Sequence, residues 1–249
     1  MRWLSPRGSR TFCMGSQKVM RRFAKWHIWL GWLAGLPILM WTITGLVMTI
    51  KPIEEVRGNH LRIEREAAVL PAGNPFPIAF PVDDPARYTE MRVVRQGDRA
   101  VWLLTRDDDT VERYPADRAG PLDPIDEAYA RSLVARDVVG GADPVQVRFF
   151  PADQAPFDLR RAIPAWQVAL RDGSHVYVHG QTGEIAAVRT RFWRLFDTMW
   201  GLHIMDLSDR EDTSHPILIA FAALSVIAAL LGCILMFRRR RYAAPARAK

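Results

Sequence analysis

Two stretches of the chain carry no charged side chain: residues 28–50, twenty-three long, and residues 216–237, twenty-two long. At about 1.5 Å of rise per residue, either one as a helix crosses a hydrocarbon core of about 30 Å. Arg21, Arg22 and Lys25 precede the first stretch, and Arg238, Arg239, Arg240 and Arg241 end the second. Short basic flanks stay on the cytoplasmic side of a bilayer. The pattern therefore predicts two transmembrane helices, 26–50 and 215–237, with cytoplasmic tails at 1–25 and 238–249 and everything between the helices outside. The first stretch is too long for a signal-peptide core and is followed by no small-residue cleavage site, so it reads as a retained span. Gly31 and Gly35 are predicted to pack on a small-residue surface of the second span formed by Ala222, Ala223, Ala228, Ala229 and Gly232. Trp26, Trp29 and Trp32 read as headgroup anchors, and Pro37 as the site of a kink.

Between the spans the periodicity changes. Residues 191–206 place Phe192, Leu195, Phe196, Met199 and His203 near one helical face, predicting an interfacial amphipathic helix. Residues 51–190 are long enough for one domain, and a weak internal repeat runs through them. Residues 99–104, the aspartates 107–109, residues 111–114 and Gly120 follow the same order as residues 163–168, Asp172-Gly173, residues 176–178 and Gly183. Each copy predicts strand, Asp-rich turn, strand, Gly turn. Residues 123–139 have a helical period, with Ile125, Tyr129, Leu133 and Val134 on one face, Asp123 or Asp126 as N-cap and Gly140-Gly141 as the stop. Residues 145–150 read as a further strand. The predicted fold class is a membrane protein with an α+β domain, antiparallel meanders with a helix against one face.

Charge supports this layout. The 249 residues carry a net charge of +7 and a pI near 9.9, values that could suggest a nucleic-acid binder. The two tails, however, hold thirteen of the 34 Lys and Arg residues and none of the 27 acidic ones, so the stretch between them is net negative. Phosphate binding needs basic charge on a folded face, and no nucleic-acid partner is expected. Cys13 and Cys233 make no disulfide framework and read as inert thiols. The familiar CxxC, HExxH, GxSxG and P-loop spacings do not occur in the sequence. His175 and His179 share a strand face without a third ligand nearby, which reads as a solvated face.

The segments at 126–139 and 145–150, the Trp166 hairpin and the run Tyr177-Val178-His179-Gly180-Gln181-Thr182-Gly183-Glu184-Ile185 resemble a PepSY domain. His27-Ile28-Trp29-Leu30-Gly31 with Thr44-Gly45, and Trp200-Gly201-Leu202-His203, resemble the PepSY-associated transmembrane helices. The resemblance spans about residues 20–240 and implies a bacterial inner-membrane protein with a periplasmic domain. The absence of a catalytic constellation and a large exported domain on a two-helix anchor point to a non-catalytic sensor or accessory that binds another envelope or membrane protein; the resemblance implies haem-dependent electron transfer in iron-siderophore reduction as the second function, or restraint of an envelope protease as the third. For the second, His27, His203 and His215 are the candidate haem b ligands. Bis-histidine ligation needs imidazoles at matching depth. His27 stands about 35 Å from the other two along a span, so either His203 pairs with His215, or His27 pairs with its copy in a homodimer. Otherwise all three are interfacial polar groups, with His203 and His215 bonded to Asp206, Asp209 or Asp212.

Overall fold

The computed structural model describes residues 10–64, 87–97 and 99–242, with side chains described from 19 to 237 within those limits. Residues 1–9 and 243–249 of the two tails fall outside the described residues, as do the side chains of the arginines 238–241, whereas residues 10–25, expected as tail, form the start of the first helix. The chain is α+β, with two antiparallel sheets and two apolar helices long enough to cross a membrane. It divides into two compact units: 1–50 with 196–249, and 51–195.

The first unit is built on helices α1 (Arg10–Met48) and α5 (Pro216–Tyr242). Along α1 the less exposed positions include 23, 27, 30, 34, 37, 41, 44 and 48, flanked by 20, 24, 35, 40, 45 and 47; along α5 they include 218, 221, 225, 228, 232 and 235, flanked by 222, 224 and 231. Steps that alternate between three and four residues make the seam of a left-handed, coiled-coil-like helix pair. Ala34 and Ala228 are the most buried apolar residues on the two helices. The remaining surface is apolar and open, with Trp32 83% and Leu36 75% exposed. Gly31 is exposed and Gly35 flanks this seam, and a Cβ on either would meet nothing within 4 Å. The small residue of α1 that is fully buried is Ala34, beside Gly35 in the chain. Pro37 sits buried on the seam with helix on both sides.

The second unit opens with a short helix α2 (Ile53–Val56) and holds both sheets. Strands β1 (Tyr88–Gln96), β2 (Arg99–Arg106) and β3 (Val111–Pro115) form one antiparallel meander. Strands β4 (Gln146–Phe150), β5 (Ala165–Ala169), β6 (His175–His179) and β7 (Ile185–Arg189) form the other. Helix α3 (Glu127–Asp137) begins at Asp126, whose carboxylate accepts from the Tyr129 N–H at 2.7 Å. That cap satisfies one of the orphan donors of the first turn. Ala130, Leu133 and Val134 of α3 then bury against Val168, Val176, Val178 and Val188, the valine face of the four-stranded sheet. Burial of each such side chain is worth about 1.5–3 kcal/mol.

The internal repeat is visible in the turns. Leu170 N–H donates to Ser174 O and Arg106 N–H to Thr110 O, both at 2.8 Å. Asp172 and Asp108 accept from the main-chain N–H of Ser174 and Thr110, two residues on. The residue between is left-handed in both, Gly173 at φ 80° and Asp109 at φ 64°. These are three-residue hairpin loops of one type. The two copies nonetheless lie in different sheets, and β7 extends the second.

Candidate functional site

Of the three histidines expected to matter, all lie in the first unit and two are turned into the helix pair. His27 Nδ1 is 3.0 Å from the main-chain oxygen of Ala228, and its ring lies over Gly232, where a Cβ would come within 2.9 Å of Cε1. A carbonyl accepts only, so the Nδ1 proton is donated. Two small residues on α5 make this approach possible, and the ring faces α5 rather than the headgroup zone beside Trp26.

His203 sits near the end of helix α4 (Arg191–Ile204). Its Nδ1 is 2.8 Å from Thr44 Oγ1, which can donate to Met40 O. The direction of the His203–Thr44 bond is set by the His203 tautomer. Trp41 Nε1–H donates to His203 O at 2.8 Å, satisfying one of the last carbonyls of the helix. Met205, left-handed at φ 58°, ends α4 in a Schellman motif: Asp206 N–H donates to Gly201 O and Met205 N–H to Leu202 O. The Asp206 carboxylate then accepts from the Ser208 hydroxyl and from the N–H groups of Ser208, Asp209, Glu211 and Asp212. The Ser208 hydroxyl, followed by these amides, holds its pKa far below the usual carboxylate range. Asp206 thus organises the loop before α5 and is not the partner of His203. His215 directly precedes α5, and its Nδ1 is buried without a hydrogen bond.

Helix α4 covers the expected amphipathic segment, and its most buried positions lie beside the apolar face rather than on it. Trp193, Asp197, Gly201 and Ile204 are its buried positions, whereas Leu195 is exposed. Asp197 is ion-paired with Arg210, and Arg189 stacks 4.1 Å over the Trp193 ring. A polar residue can hold a buried position when it has such a partner, which hydrophobic periodicity does not register.

On the face of the sheet opposite α3, residues 151–164 lie over β5–β7 and bring Asp158 down onto a buried polar network. Tyr177, fully buried, donates its hydroxyl to Asp158 Oδ1 at 2.5 Å and accepts from Gln167 Nε2 at 2.5 Å; His175 Nδ1 lies 3.2 Å from Asp158 Oδ2. Burial alone would raise the Asp158 carboxyl, but the bonds from His175 and Tyr177 outweigh it and hold it below the usual range. Burial, and then the bond to Asp158, push the Tyr177 phenol strongly up. His179 Nδ1 accepts from the N–H groups of Gln181 and Thr182, and burial lowers its pKa, so it is a neutral turn cap. His175 and His179 do share a face, as their spacing predicts, but that face is half-buried beneath the 151–164 segment rather than solvated. Among the described residues no group of three or more His, Cys, Asp or Glu could hold a metal ion.

Haem, implied by the resemblance, can be tested against this geometry. His27 and His203 contact α1–α5 at levels seventeen residues apart, 27 and 44, about 25 Å along the helix. His27 Nε2 would lie 3.4 Å from a Cβ on Gly232, so that nitrogen abuts α5. The two imidazoles do not fit opposite faces of one macrocycle within this chain. Thr44, Trp41 and Asp158 were not singled out by sequence reasoning as site residues; Thr44 was visible only as part of Thr44-Gly45. No protein-family model, curated protein or solved structure matches the chain.

Proposed function

We propose that the protein is a PepSY-type protein of the bacterial inner membrane, whose α1–α5 pair spans the bilayer and carries residues 51–195 outside as a non-catalytic binding module for another envelope or membrane protein. The observation that carries this reading is the helix pair. Its inward faces form a continuous 3.5-residue seam, while its outward faces carry exposed Trp29, Trp32, Leu36 and Leu46. An apolar surface of that extent is stable in lipid and is a liability in water. The basic residues at both ends of the sequence favour cytoplasmic termini. The 51–195 unit has its own valine core, as a module that folds beside its anchor requires.

Reporter fusions test the topology. Alkaline phosphatase should be active when joined after Gly141 and inactive after Lys249, with a cytoplasm-active reporter giving the reverse. The binding role is tested by crosslinking in intact cells, where a specific membrane or envelope partner should be recovered from the full chain and lost when 51–195 is replaced by an unrelated domain. Haem-dependent iron-siderophore reduction has less support, since His27 and His203 lie about 25 Å apart along the helix pair and do not meet on one macrocycle. A Soret band in the purified protein would restore it.

A further inference from the structure

Arg113, on the central part of β3, separates two cavities of the second unit, of about 370 and 290 Å³. Its guanidinium lies 5.3 Å over the Tyr129 ring. One Nη donates to Gln96 Oε1 at 2.8 Å and the other to the main-chain oxygen of Asp123 at 3.2 Å, while Nε is buried without a partner. Among the described residues it forms no ion pair with a carboxylate, although Arg92, Arg106, Arg131 and Arg171 of the same unit each do. Burial pushes the guanidinium pKa down, which marks it as a desolvated cation. Partly buried charges are costly unless a counter-charge and hydrogen bonds compensate them. After the two bonds to Gln96 and Asp123, two Nη protons remain for an incoming acceptor. The larger cavity has Val111, Pro121, Leu122 and Pro124 on its walls, with Arg113 as its only cation; of the acidic residues that also line the two cavities, Glu112 is paired with Arg106 and Asp126 caps α3, which leaves Asp123, while the smaller cavity adds Arg99.

We propose that this pair of cavities is a ligand site for a carboxylate on a compact apolar body, held by Arg113. The geometry favours one monoanion over a phosphate, because a single guanidinium meets one carboxylate through two parallel N–H bonds, the acidic residues of the lining disfavour a dianion, and Val111, Pro121, Leu122 and Pro124 offer apolar surface beside it. The inference rests on the binding-module reading above and gives it a ligand class. The carboxylate could belong to a free short-chain acid or to a peptide chain end, and the same experiment separates them.

Full-length protein in nanodiscs is titrated by calorimetry with isovalerate, isovaleramide, N-acetyl-Ala-Leu and its C-terminal amide. Both acids should bind and neither amide should. Tighter binding of the peptide acid assigns the site to chain ends, and tighter binding of isovalerate assigns it to free acids. Arg113→Met should weaken the acids about tenfold or more, with Arg113→Lys between Met and wild type. Hydrogen exchange on wild-type protein gives a readout that no variant's folding can obscure: the acids, and not the amides, should slow exchange across 111–125. Acids and amides binding alike, no binding of either acid, full affinity in Arg113→Met, or exchange at 111–125 unmoved by the acids would each overturn the proposal. The fusion topology is read independently, so an outside domain that binds no acid removes this inference and leaves the anchor reading standing.

Discussion

Replacing Tyr177 by Phe removes one oxygen from the most enclosed polar site of the 51–195 unit, and its cost can be worked from the bonds it breaks. The ring is fully buried and stays so in phenylalanine, so no apolar contact is lost. What goes is the 2.5 Å bond to the Asp158 carboxylate and the 2.5 Å bond from Gln167. A hydrogen bond to a charged acceptor contributes about 1.5–3 kcal/mol, and the carboxylate left behind is only 16% exposed, with His175 as its nearest remaining donor. The expected loss is therefore about 2 kcal/mol, a roughly 30-fold faster amide exchange in β5–β7 where exchange follows opening of the whole unit. The sign of the pH dependence follows from the depressed Asp158 pKa. That stabilisation is fully present above the ordinary aspartate pKa of about 3.9 and is lost as pH falls through the lower folded value. The Tyr177→Phe penalty should accordingly be large at neutral pH and shrink below about pH 4. Hydrogen exchange of the full chain at a series of pH values measures both. Unchanged protection at neutral pH, or a penalty that does not diminish in acid, would refute the charged Asp158 account.

Further tests reach the other elements. Gly232→Leu should push His27 off Ala228 and destabilise the α1–α5 pair by about 1–3 kcal/mol, whereas Gly31→Leu should not; steric trapping in bicelles measures the difference. Gly58→Ala meets Val188 Cγ1 at 2.7 Å from a left-handed position at φ 75°, so thermal melting should show the 51–195 unit weakened by about 1–3 kcal/mol. Asp126→Ala removes the α3 cap at a cost of about 1 kcal/mol, seen as faster exchange in the first turn of α3. Asp206→Asn removes the carboxylate that gathers four amides, and limited proteolysis should then cut within 206–212 faster than in wild type.

The sequence by itself determined the features that depend on local period. Uncharged runs of 22 and 23 residues specify apolar helices, Asp-Gly and triple Asp specify tight turns, and the spacing of Ile125, Tyr129, Leu133 and Val134 specifies a helix with one apolar face. Asp126, not Asp123, proved to be the cap, a choice of three residues that periodicity leaves open. Tertiary structure decided which neighbours those elements meet. Gly31 and Gly35 carry the small-residue spacing, yet the 3.5-residue seam runs through Ala34, because it is set by the partner helix along its whole length. The face that α4 buries runs through Asp197 and Gly201, since an ion pair with Arg210 and a close approach of the Arg210 side chain are long-range facts. His203 meets Thr44 across 159 residues, and Asp158 meets Tyr177 only because residues 151–164 fold back over the sheet. A polar side chain's partner depends on where the chain returns, and a hydrophobic pattern carries no information about that return.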